Sequence, residues 1–164
     1  MNLPAHLSAV FADYLAAADP AASGIPSPDR LPRLPIDAAG VKARPFIEIT
    51  ITESDEPDGH QQLRKLEMRV TLKAGIEPAA GDGPGSKRMS REQAETLAGK
   101  IRQRLLDMGS LKAWLATLPE SRRAGWALQK PPRLLNEERE LDEDSRALDI
   151  AIPARLLVLV SAGL

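Results

Sequence analysis

Residues 147–160 read ALDIAIPARLLVLV, and this stretch decides the fold. Leu148, Ile150, Ile152, Ala154, Leu156, Val158 and Val160 share one parity, the spacing at which side chains of an extended chain fall on one side of a sheet. In the second half Leu157 and Leu159 make the other parity apolar as well. That end is therefore a central strand covered on both sides, or a strand whose outer face meets a partner. Pro153 withdraws a backbone donor and predicts a bulge or an edge at its position.

Two earlier runs match it. Ile47, Ile49 and Ile51 alternate with Glu48, Thr50 and Thr52, and Leu66, Met68, Val70 and Leu72 alternate with Glu67, Arg69, Thr71 and Lys73. Pro57 and Asp58-Gly59 between them supply turn chemistry for an antiparallel hairpin with a longer loop. Ser90 with Gln93 three positions on has the form of a capping box, and the helix it opens carries Leu97, Ala98, Ile101, Leu105 and Met108, with Gly109 as the expected terminator. Leu111, Trp114, Leu115 and Leu118 give a further helical turn or two before Pro119. Residues 125–128 start a short strand, and the acidic residues between Glu137 and Asp144 form a solvated turn.

At the N-terminus Leu7, Val10, Phe11, Tyr14, Leu15 and Ala18 fall on one helical stripe that ends by Pro20. The stripe covers either its own sheet, the commoner use of such a helix, or a neighbouring subunit. Residues 20–44 carry five prolines and form an extended arm, lying on its own domain or reaching to another subunit. The expected whole is one α+β domain over residues 1–164. It comprises an N-terminal helix (1–19), the proline-rich arm (20–44) and a core (45–160) in which a single, mostly antiparallel sheet packs against one or two helices.

Composition narrows the function. Only 3% of the 164 residues are aromatic, too few for stacking platforms, and a net charge of −1 argues against a dominant phosphate-binding surface. The absence of cysteine removes thiolate catalysis, sulfur-ligated zinc and disulfides, in keeping with a reducing cytoplasmic setting. Neither a secretory signal nor an apolar run of bilayer length is expected.

The motifs that invite chemistry fail on spacing. Residues 81–87, GDGPGSK, lack the GK[ST] ending of a phosphate loop and the third glycine of a dinucleotide fingerprint, so a hairpin tip is expected. Asp55, Glu56, Asp58 and His60 match no calcium or zinc pattern and suit a wet turn. His6 has Asp13 nearly two turns away and no serine partner. Arg91, Lys100, Arg102 and Arg104 form a basic helix face, after Lys87 and Arg88, that suits solvent or a subunit better than nucleic acid. Arg122 and Arg123 could touch phosphate. Trp114 and Trp126 are expected as core or interface anchors. No catalytic residue, metal ligand or cofactor site is expected.

Three segments, VKARPFIEITITES with LRKLEMRVTLKAG (41–54 and 63–75), SREQAETLAGKIRQRLLDM (90–108) and RALDIAIPARLLVLV (146–160), resemble in pattern and order the tail terminator and minor tail proteins of long-tailed bacteriophages. The resemblance implies a small α+β protomer that closes into a homo-oligomeric ring, such as a hexamer. The ring would cap a phage or prophage tail tube, meet the head connector, and let DNA pass only as cargo. It would assemble in the cytoplasm and end in the virion tail. The interface candidates are Phe11, Tyr14, Leu15, Leu157 and Leu159. The alternatives are another assembly factor, such as a head-completion protein, or an enzyme using carboxylates of the hairpin loop.

Overall fold

The structure, a computed structural model, describes residues 2–17, 24–26, 28, 44–53, 62–77 and 88–161. Strands β1 (Phe46–Glu53) and β2 (Leu63–Gly75) form the expected antiparallel hairpin, with Ile47, Ile49 and Ile51 opposite Leu72, Val70 and Met68. Along its other side β2 pairs over its whole length with β6 (Ala147–Val160), so that Leu66, Val70 and Leu72 face Leu156, Ile152 and Ile150. This is the long central pair, and it aligns the apolar parities of three strands on one face.

The far side of β6 is lined by one edge broken into three pieces: β3 (Trp126–Leu128), β4 (Arg133–Leu134) and β5 (Glu138–Asp142). Between Leu128 opposite Val158 and Arg133 opposite Arg155 the edge advances five residues while β6 advances three. The surplus holds Pro131-Pro132, which cannot donate to a ladder. From Leu134 opposite Ala154 to Glu138 opposite Ala151 it advances four against three. Here Pro153 explains the break. The Leu135 N–H donates to the Pro153 carbonyl at 2.8 Å, so the side of Pro153 without a donor also faces this edge. The bulge predicted from Pro153 thus lies in the partner strand, while β6 itself stays central.

Among the described residues, the helices cover one face of the sheet. Helix α1 (Leu3–Ala16) starts at Asn2, whose side chain accepts the Ala5 N–H at 3.2 Å, and packs on β1. Helix α2 (Arg91–Leu106) opens with the reciprocal Ser90–Gln93 capping box, at 3.1 and 2.8 Å, and lies across β2 and β6. Ala94 and Ala98 bring its backbone close to the sheet, and Ile101 and Leu105 fill the layer between. One buried cluster joins these helices to β1, β2 and β6.

Three expectations change. Gly109 does not end α2. Asp107 closes that helix and caps the next, α3 (Met108–Ala116), accepting from the Ser110 N–H at 3.0 Å, and Gly109 lies inside α3. The acidic residues from Glu138 to Asp142 are strand β5 rather than a turn, with the turn proper at residues 143–146. Alternation explains it, since Glu138, Glu140 and Asp142 sit on one side of the strand while Arg139 and Leu141 sit on the other. Arg104 does not belong to an outer basic face. It is 1% exposed, its guanidinium lies 4.0 Å over the Tyr14 ring, and it donates to the Tyr14 carbonyl while Tyr14 Oη donates to the Arg104 carbonyl at 2.8 Å. This exchange fastens α1 to α2.

Of the arm, the described residues lie on their own domain. Ile25 packs against the core, Pro28 bridges Ile47, and Gly24 takes φ +82, where a side chain would also press on Lys100. The rest of the arm falls outside the described residues.

Candidate interaction surface

The uncovered face of the sheet follows from the same parity. It carries Glu48, Thr50 and Thr52 from β1; Leu63, Lys65, Glu67, Arg69, Thr71 and Lys73 from β2; and Asp149, Ala151, Pro153, Arg155, Leu157 and Leu159 from β6. β5 adds Glu138 and Glu140. Its two ends differ in chemistry.

At one end the charges pair among themselves. Asp149 accepts from Arg44 at 2.6 Å and Lys73 at 2.7 Å, and the Arg44 guanidinium is 9% exposed. Burial alone would push the Asp149 carboxyl up. The Lys73 and Arg44 bonds overcome that and hold it below its ordinary value of 3.8. Arg69 reaches across β6 to Glu138, over the small Ala151, and a cavity of about 400 Å³ opens among these groups. On the helix side of the same edge, Arg139 donates to Glu95 at 2.5 and 2.6 Å and to Glu137 at 2.9 Å, and Arg102 also holds Glu137. The Arg139 bonds hold the Glu95 carboxyl below its usual range, and the same bonds raise the Arg139 pKa. These ties clamp β5 to α2. They also pair Arg102, one of the basic helix residues expected on an outer face, with a carboxylate.

The other end is apolar and basic. Leu63 stands opposite Leu159, which in turn stands opposite Ala127, so a row of apolar residues crosses three strands, with Leu157 beside it. Leu63, Leu157 and Leu159 are half-buried. Next to the row a cavity of about 330 Å³ is walled by Lys65, Lys130, Pro131, Arg133 and Arg155.

The sequence-predicted interface residues therefore separate. Leu157 and Leu159 lie on the open face, whereas Phe11, Tyr14 and Leu15 are at most 1% exposed inside the protomer and offer nothing to a second copy. The stripe of α1 was legible, but periodicity does not say which surface a stripe covers. Asp55, Glu56, Asp58, His60 and residues 81–87 fall outside the described residues. The His6 Nε2 lies 2.7 Å from the Arg122 carbonyl, and Arg122 pairs with Asp13 rather than standing free for phosphate. Trp126 is buried and donates to that same carbonyl at 2.9 Å, and Trp114 packs on Tyr14 with ring centroids 5.5 Å apart, so both tryptophans anchor the core. Among the described residues no group of three acidic, histidine or cysteine side chains could hold a metal. Among them, too, no helix is long and apolar enough to cross a membrane. Sequence reasoning missed Arg133 and Arg155. The only signal was Arg155 interrupting the open-face parity of an otherwise apolar strand end.

Compared with known proteins, the chain matches no family model and no curated protein.

Proposed function

We propose that this chain is a structural assembly protein of the tail-terminator type. Its protomers join in a homo-oligomeric ring that caps a phage or prophage tail tube and meets the head connector, with DNA only as passing cargo. It assembles in the cytoplasm and finishes in the virion tail. The reading assigns it no catalytic step and no cofactor.

The observation that carries the proposal is the asymmetry of the sheet. One face is filled by α1 and α2, while the other leaves an apolar row at Leu63, Leu157 and Leu159 without a covering element among the described residues. The order of helix, hairpin, helix and long final strand is the one the resemblance implies. The geometry also narrows how a ring would close. Edge-to-edge strand addition at β5 is opposed by Glu138, Glu140 and Asp142, and charged edges discourage such pairing. Contact through the open face, meeting a different surface of the next copy, avoids that charged edge, and a repeated heterologous contact closes a ring.

Light scattering on the purified chain from micromolar to millimolar concentration tests this, with negative-stain images of the same samples. The expected result is a mass that climbs to a fixed multiple of 17.8 kDa together with annular particles. A single-chain mass throughout, with no annuli, would contradict it.

A further inference from the structure

Arg133 and Arg155 stand directly opposite each other on β4 and β6. Cross-strand partners hold their Cβ atoms about 5 Å apart, and like charges in that position repel. Elsewhere the protein answers such groups internally: Arg44, Arg64, Arg69 and Arg139 each hold a carboxylate. Among the described residues, Arg133, Arg155 and Lys130 have no ion pair or hydrogen bond from their side chains. Glu67 is the β2 partner of Arg155 and forms no ion pair with it, although both line the same cavity. The cavity wall thus holds four cations to one carboxylate, and neither Arg133 nor Arg155 is tied down by an ion pair among the described residues.

We infer that this cavity receives an acidic segment of a partner protein, with carboxylates held by Arg133 and Arg155 and a neighbouring apolar side chain set against Leu157 and Pro131. Three observations select this occupant. Two arginines at facing positions in one cavity wall can each offer a carboxylate forked donation. The apolar row at Leu63, Leu157 and Leu159 continues directly from the basic wall, so an amphipathic acidic segment satisfies both surfaces at once. A nucleic-acid backbone fits less well, because the basic wall is short, whereas affinity for phosphate grows with the number of cations along a track. The inference concerns a partner rather than a second copy and shares the apolar row with the proposed ring contact, so it is measured on the dilute single chain, where its outcome does not depend on ring formation.

The test uses fluorescence anisotropy with a labelled dodecapeptide of glutamate and leucine. A glutamine and leucine peptide and single-stranded dT12 serve as controls, all at one salt concentration. The acidic peptide is expected to bind saturably and more tightly than either control. The Arg133→Gln/Arg155→Gln variant should weaken it by about tenfold or more, as the loss of charged hydrogen bonds implies, while Arg123→Gln leaves it unchanged. The inference is overturned if the peptide does not saturate, if dT12 binds as tightly, or if the double variant binds like the parent.

Discussion

At the Asp149 end of the open face, Arg44, Arg69 and Lys73 each hold a carboxylate, whereas at the Arg155 end two arginines face one another with none. Both ends lie on the same sheet, a few residues apart along β6. Charges that answer one another fix the edge strand and the start of β1 in place, and they belong to the fold. The arginines beside the apolar row make no such tie, and they are the groups the proposed partner would use. The helix-covered face sets the scale for both, because it carries the dry core on which folding depends.

The largest effect should come from that core. Ile152→Ala empties a fully buried site between α2 and the central pair and is expected to cost about 3 kcal/mol by chemical denaturation, while Leu157→Ala, half-buried on the open face, costs less than about 1 kcal/mol. Equal losses would break the contrast between the faces. Next, Asp149→Asn strips Arg44 and Lys73 of their shared acceptor. With the Asp149 side chain 28% exposed, a loss of about 2 kcal/mol near neutral pH is expected. That loss carries a pH signature. The native carboxyl is held below its ordinary 3.8, so its stabilisation is fully present above that value and fades as pH falls through the lower, folded value. The gap between parent and variant should therefore narrow on acidification below pH 3.8 and be flat above about pH 5. Ser90→Ala removes one arm of the capping box and should cost about 1 kcal/mol, read by thermal melting. The smallest effect belongs to Glu67→Gln at the Arg155 end, which changes stability by less than about 0.5 kcal/mol because Glu67 forms no ion pair there.

What the sequence disclosed follows the range of the forces involved. The alternation in β1, β2 and β6 and the Ser90–Gln93 box depend on residues a few positions apart, and both stand in the structure as read. Gly109 misled because a helix ended by Asp107 and restarted through its side chain, a competition between two caps that glycine statistics do not reveal. Arg104 shares a helical side with Ile101 and Leu97, at spacings of three and seven, so its burial was partly visible in the stripe. Its charge hid it. The acidic run was misread because an edge strand carries charge where a buried strand carries apolar residues. The Arg133–Arg155 pair was not legible at all, since twenty-two residues and one slip of register separate the two positions, and only the folded edge brings them together.

One face of the sheet holds the core of the fold, and the proposed association is expected to use the other. Hydroxyl-radical footprinting of the chain, dilute and then at the concentration where its mass rises, tests it most directly. The account predicts that Leu63, Leu157 and Leu159 lose reactivity on association, while Leu156 and Val158, already buried, stay unreactive in both samples. Association that leaves Leu63, Leu157 and Leu159 as reactive as in the dilute chain would contradict it.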